Sequence, residues 1–191
     1  MRLLFVLFLS FLWSSFFSQK ETFITYNWSE VQTANPDTIF SLSLAKEKLS
    51  ELPSQLWKFK KLKALNLKRN KFETLPDSLE QLTEIEFLDI SHNRFTVFPL
   101  PITRLYKLKV LIVANNNLTY ISNNIENCEM LQDLDFYDNL IEDLGKGIYK
   151  LKELRSLDLR GVMYGTKFQA ELKGSLPNVK IKMDAPCKCM D

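Results

Sequence analysis

A 23-residue period runs through most of this chain. Ile39, Leu62, Ile85, Leu108, Leu131 and Leu154 open six blocks, each starting 23 residues after the last. The block from Leu62 reads LKALNLKRNKFETLPDSLEQLTE and the next IEFLDISHNRFTVFPLPITRLYK. LKVLIVANNNLTYISNNIENCEM and LQDLDFYDNLIEDLGKGIYKLKE follow. Their shared pattern is LxxLxLxxNxLxxLPxxLxxLxx, with Leu52-Pro53, Leu75-Pro76 and Phe98-Pro99 keeping the paired step. A block this short cannot bury an apolar face alone, so neighbours must stack into one continuous core. The period therefore dictates a quasi-linear array.

Each block divides into two halves with different spacing. LxxLxL ends with period 2, which puts Leu65 and Leu67 on one side of a short strand. In the second half, Leu75, Leu79 and Leu82 recur every three or four positions. That spacing suits a helical turn or short helix starting at the proline. Parallel strands stacked about 4.8 Å apart inside a wider return path force the array to curve.

Asn70, Asn93, Asn116 and Asn139 recur in register where each strand must turn outward. An amide with two donors and an acceptor can satisfy backbone groups that lose their ladder partners there. Taken together these residues resemble the leucine-rich repeat family in its typical 23-residue form, from Ile39 to Ile181. The resemblance implies an α/β solenoid: a curved parallel sheet on the concave side, short helices or turns on the convex side, and terminal caps. It also implies that the four asparagines form a buried ladder. Glu47 and Val162 replace the asparagine in the first and sixth blocks, as expected of atypical end repeats.

The expected organisation is a signal peptide at 1–18, a capping segment at 19–38, a repeat domain at 39–183 and a C-terminal tail at 184–191. Leu3 to Trp13 is apolar apart from Ser10, follows Arg2 and precedes small serines, the layout of a secretory leader. Export to a secreted or periplasmic location follows if the leader is cut. An uncleaved leader would instead anchor the chain in a membrane. Trp28, Val31 and Ala34 predict a short capping helix over 27–34 that ends before Pro36. Leu176 to Ile181 repeats LxxLxL and predicts a seventh and last strand. Between them, residues 162–175 carry a displaced apolar pattern (Met163, Tyr164, Phe168, Leu172), which predicts a longer or irregular return.

Chemical sites are sparse. The 25 basic and 23 acidic residues leave +2, no electrostatic footprint for nucleic acid. His92 is the single histidine, and with Asp89 and Ser91 as sequence neighbours it lacks triad geometry. It reads as an exposed surface residue. Cys128 takes an apolar core position. Cys187 and Cys189 can join each other, join a partner, or sit incidentally in a flexible tail, and two thiols cannot complete a structural zinc site. No metal, cofactor or catalytic residue is expected. Asn27-Trp28-Ser29 and Asn117-Leu118-Thr119 fit the glycosylation acceptor pattern, which arises by chance at this frequency.

Function then rests on the inner face of the strands. The residues alternating with the buried leucines face the concave side. Phe87, Val110 and Ile112 would lie there on neighbouring strands and face solvent, with Asp89, Asp133, Asp135, Tyr137, Asp158 and Arg160 around them. A contiguous apolar patch between charged rims suits a protein interface. The reading is a monomeric, non-enzymatic module that binds a polypeptide on its concave face. The alternative is a cell-envelope spacer held by an uncleaved leader.

Overall fold

The computed structural model describes residues 24–187; the leader reading and Cys189 lie outside them. Eight strands form one parallel sheet in sequence order. They are β1 (Tyr26–Asn27), β2 (Ser41–Ser43), β3 (Ala64–Asn66), β4 (Phe87–Asp89), β5 (Val110–Ile112), β6 (Asp133–Asp135), β7 (Ser156–Asp158) and β8 (Lys180–Lys182). Register is unbroken between β2 and β7, with Leu42, Leu65, Leu88, Leu111, Leu134 and Leu157 in one row. That row and the block-opening row are buried, as the stacking argument requires. The continuous core also holds the rings of Phe59, Phe72, Phe95, Phe98 and Phe136, all fully buried.

The convex return of each full block is a five-residue 3-10 turn: Ser54–Lys58, Asp77–Gln81, Leu100–Arg104, Asn123–Asn127 and Lys146–Lys150. Pro53, Pro76 and Pro99 sit just before these turns rather than as their first helical residue. Their extended ψ ends the preceding segment. A 3-10 turn covers about 2.0 Å per residue, so five residues advance about 10 Å along the convex side.

Both caps differ from the sequence expectation. Tyr26–Asn27 pairs with β2, an added strand that makes eight rather than seven. The expected 27–34 helix is a four-residue 3-10 turn, Trp28–Val31, with a second at Pro36–Thr38. The Asn27 amide donates to Glu30 Oε2 at 2.6 Å and fixes the entry to the first turn. At the other end the displaced pattern folds as one regular α-helix, α1 (Thr166–Ser175). Its Phe168 stacks on Tyr164 at 4.2 Å between ring centres, and Leu172 is fully buried.

The segment after β8 is not a loose tail up to Cys187. Asp184 Oδ2 accepts the Gly161 amide at 2.6 Å, and its carbonyl accepts from Gln169 Nε2 at 3.1 Å. The Cys187 amide donates to the Tyr164 carbonyl at 3.1 Å, and Cys187 is disulfide-bonded. Among the described residues no helix is long and apolar enough to cross a membrane.

Candidate functional site: the concave sheet face

Three residue rows shape the edge where each strand turns outward. The first is the asparagine row. Asn93 Nδ2 donates to the Leu67 and Ile90 carbonyls at 3.1 and 2.9 Å, and Oδ1 accepts the Phe72 amide at 3.1 Å. Asn70, Asn116 and Asn139 make the same three contacts one block earlier, one later and two later. Each asparagine thus ties its own strand end to the preceding block.

The second row precedes it by one residue. Lys46, Arg69, His92, Asn115, Asp138 and Gly161 all have φ between 53° and 80°. This left-handed step, costly for residues with a Cβ, redirects the chain from sheet to convex return. It explains His92: the residue is half-buried at the turn rather than fully exposed. Burial, then Lys68 and Arg69, hold its imidazole below the usual histidine range. No hydrogen bond joins it to Asp89 or Ser91, and the buried Ser91 hydroxyl has no partner.

The third row changes the meaning of several candidate residues. Asp89 Oδ1 accepts the Ser91 amide at 2.9 Å, Asp135 Oδ1 the Tyr137 amide at 2.8 Å and Asp158 Oδ1 the Arg160 amide at 3.2 Å. Asn66 and Ser43 do the same for Lys68 and Ala45. These are side chain to backbone turns of two-residue reach, favoured by Asp, Asn and Ser. The aspartates therefore end strands, a role visible in hindsight as Ser, Asn or Asp recurring every 23 residues. From β2 to β7, Ile112 alone occupies this row without an acceptor.

Phe87, Val110 and Ile112 do share the concave face with Ala64, as a small apolar cluster separate from the main core. They do not present the solvent-facing patch expected. Phe87 and Val110 are each 6% exposed, while Ile112 is partly buried. In register, Phe87 lies between Ala64 and Val110, and rows only about 4.8 Å apart cover one another's flanks.

Beyond the cluster the face carries charges of both signs. Val110 pairs in register with Asp133 and Ile112 with Asp135. Asp158, 4% exposed, is held by Arg160 at 2.7 and 3.0 Å and by Lys182 at 3.2 Å. Burial pushes its pKa up, but these cations and the Arg160 amide outweigh burial and leave it lowered. Among the described residues Asp133 and Asp135 make no ion pair; burial raises both pKa values, against the pull of Arg155 and Lys182 on Asp133, and Asp158 adds to the rise at Asp135. Tyr137 is 40% exposed, with the Arg160 guanidinium 5.5 Å from its ring centre. Convex charges, by contrast, bridge neighbouring blocks: Arg104 with Asp77 and Glu80, Lys107 with Glu84, Lys150 with Glu126. Among the described residues no group of three ligating side chains could hold a metal ion.

Comparison with known proteins agrees with this architecture. A solved leucine-rich repeat protein of Leptospira interrogans is similar, with 28% identity and a TM-score of 0.66 over 78% of this chain. The matched region spans 37% of that protein's length. Comparison with curated proteins returns no match. The family model for a leucine-rich repeat region matches residues 40–183. The chain belongs to the leucine-rich repeat family.

Proposed function

We propose that the chain is an exported binding module that docks a polypeptide on its concave face, at the apolar cluster of β4 and β5. Interaction scaffolding is the general role of this family; the choice of face rests on one observation. Ile112 interrupts a row in which Ser43, Asn66, Asp89, Asp135 and Asp158 each accept a backbone amide two residues ahead. Ile112 gives up that bond and adds an apolar surface to the face that the main core does not use. Folding alone favours the polar residue there; docking favours isoleucine.

Ile112→Asn tests this reading. The new side chain restores an acceptor for the Ala114 amide, a gain of about 0.5–1.5 kcal/mol against partial loss of apolar contact. The variant should melt within a few degrees of the parent. It should lose a protein that the parent captures from the secreted or periplasmic fraction. Undiminished capture by a folded Ile112→Asn chain would remove the concave face from consideration. Phe87→Ala is a poorer probe, because a nearly buried ring contributes to stability as well.

A further inference from the structure

Resting on the docking reading above, we propose that the occupant is an extended, basic polypeptide segment. It lays an apolar side chain on Val110 and Ile112 and sets a lysine or arginine head against Asp133 and Asp135. Strand register places these groups side by side: Val110 beside Asp133 and Ile112 beside Asp135. Along β6 the two residues' backbones stand about 7 Å apart, and each is about 5 Å from its β5 neighbour. A basic side chain can therefore rest its methylenes on Ile112 while its head reaches Asp135.

The two carboxylates bordering the apolar cluster select the sign of the partner. Arg160 and Lys182 are both committed to Asp158, and Arg155 acts on Asp133 through space without forming an ion pair. On the other flank Glu86 takes Lys109 at 2.6 Å and Lys63 at 3.7 Å. Among the described residues Asp133 and Asp135 form no ion pair, although both are half-buried. A partly desolvated carboxylate without a cation is unfavourable, and a bound lysine or arginine removes that penalty. Asp135 already uses one oxygen on the Tyr137 amide, which leaves the other for the incoming group. Phosphate-bearing ligands, whether nucleic acid or anionic lipid, are repelled by the same pair.

The probe is a phage-displayed library of linear peptides, panned on the full chain. Selected sequences should be enriched in lysine or arginine next to large apolar residues. Binding of a selected synthetic peptide should weaken by about tenfold or more in Asp133→Asn with Asp135→Asn, and its salt dependence should flatten. Asparagine keeps the turn bond to Tyr137, so a melting curve separates lost charge from lost fold. Selected peptides without basic residues, whose binding Ile112→Asn still abolishes, would overturn the charge assignment and leave the docking face standing. Peptides indifferent to both sets of substitutions would overturn both readings. A library that yields no binder would overturn the linear-segment proposal.

Discussion

Removing one ladder asparagine should cost different amounts at different rungs, and the structure sets the order. The Leu67 carbonyl receives both Asn70 and Asn93, and the Ile90 carbonyl receives both Asn93 and Asn116. Asn93→Ala therefore leaves each of these carbonyls with one donor, and orphans only the Phe72 amide. Asn139 is the last rung. The Phe136 carbonyl has no other side-chain donor, so Asn139→Ala orphans it together with the Leu118 amide. An unsatisfied buried group costs about 1–3 kcal/mol. Asn93→Ala should then lose about 1–3 kcal/mol, and Asn139→Ala about 2–6, out of a typical domain total of about 5–15. Urea unfolding followed by far-ultraviolet circular dichroism measures both. Tryptophan emission reports the N-terminal end through Trp28 and Trp57. A separation of the two signals in Asn139→Ala would show the array opening from its C-terminal end. Equal losses, or a larger loss at Asn93, would refute the shared-carbonyl account.

Three further outcomes are expected. Gly161→Ala should lose more than about 1 kcal/mol, because φ is 80° and a Cβ would sit 2.8 Å from the Asp138 Cα. Arg69→Gly at the equivalent turn should leave the melting temperature nearly unchanged. Asp133 and Asp135 have raised pKa values, so they cost stability as pH rises from the unfolded aspartate value of about 3.9 through their raised folded values. Asp133→Asn with Asp135→Asn should raise the melting temperature at neutral pH, and the gain should vanish by about pH 3, where both states are protonated. Asp158, lowered by Arg160 and Lys182, has the opposite sign: Asp158→Asn should lose stability at neutral pH, and the loss disappears only below its lowered pKa. Burial pushes the Cys128 thiol up to about 12. Alkylation near pH 8 should therefore spare Cys128 until the chain unfolds, as peptide mass mapping would show.

The repeat made most of this fold legible because identical spacing states the same physics six times. The strand leucines, the convex turns and the asparagine contacts all sit where period and valence put them. Legibility fails where the repetition stops. β1 is two residues long and has no partner block, so nothing in its sequence distinguishes it from a loop. The α-helix Thr166–Ser175 replaces a 3-10 turn in a last repeat that is one residue longer and whose apolar spacing departs from the shared pattern. Burial of Phe87 and Val110 escaped for another reason. Alternation along a strand says which side a residue faces, but it says nothing about how tightly the neighbouring rows cover it.

The concave aspartates show how a repeat hides function inside structure. A row of acidic residues on a recognition face invites a binding role, yet Asp89, Asp135 and Asp158 each answer a backbone amide that every strand end leaves open. Such residues recur because the turn recurs, and recurrence is evidence about the turn. Information about a partner lies in the positions that break their row. Ile112 breaks the polar row, and Asp133 is the one carboxylate in a row that runs Ser41, Ala64, Phe87, Val110, Asp133, Ser156 and Lys180. The first gives up a hydrogen bond and the second a favourable solvation, so neither is explained by stacking. They lie on adjacent strands, and their shared border is where an apolar and basic segment regains what both have lost.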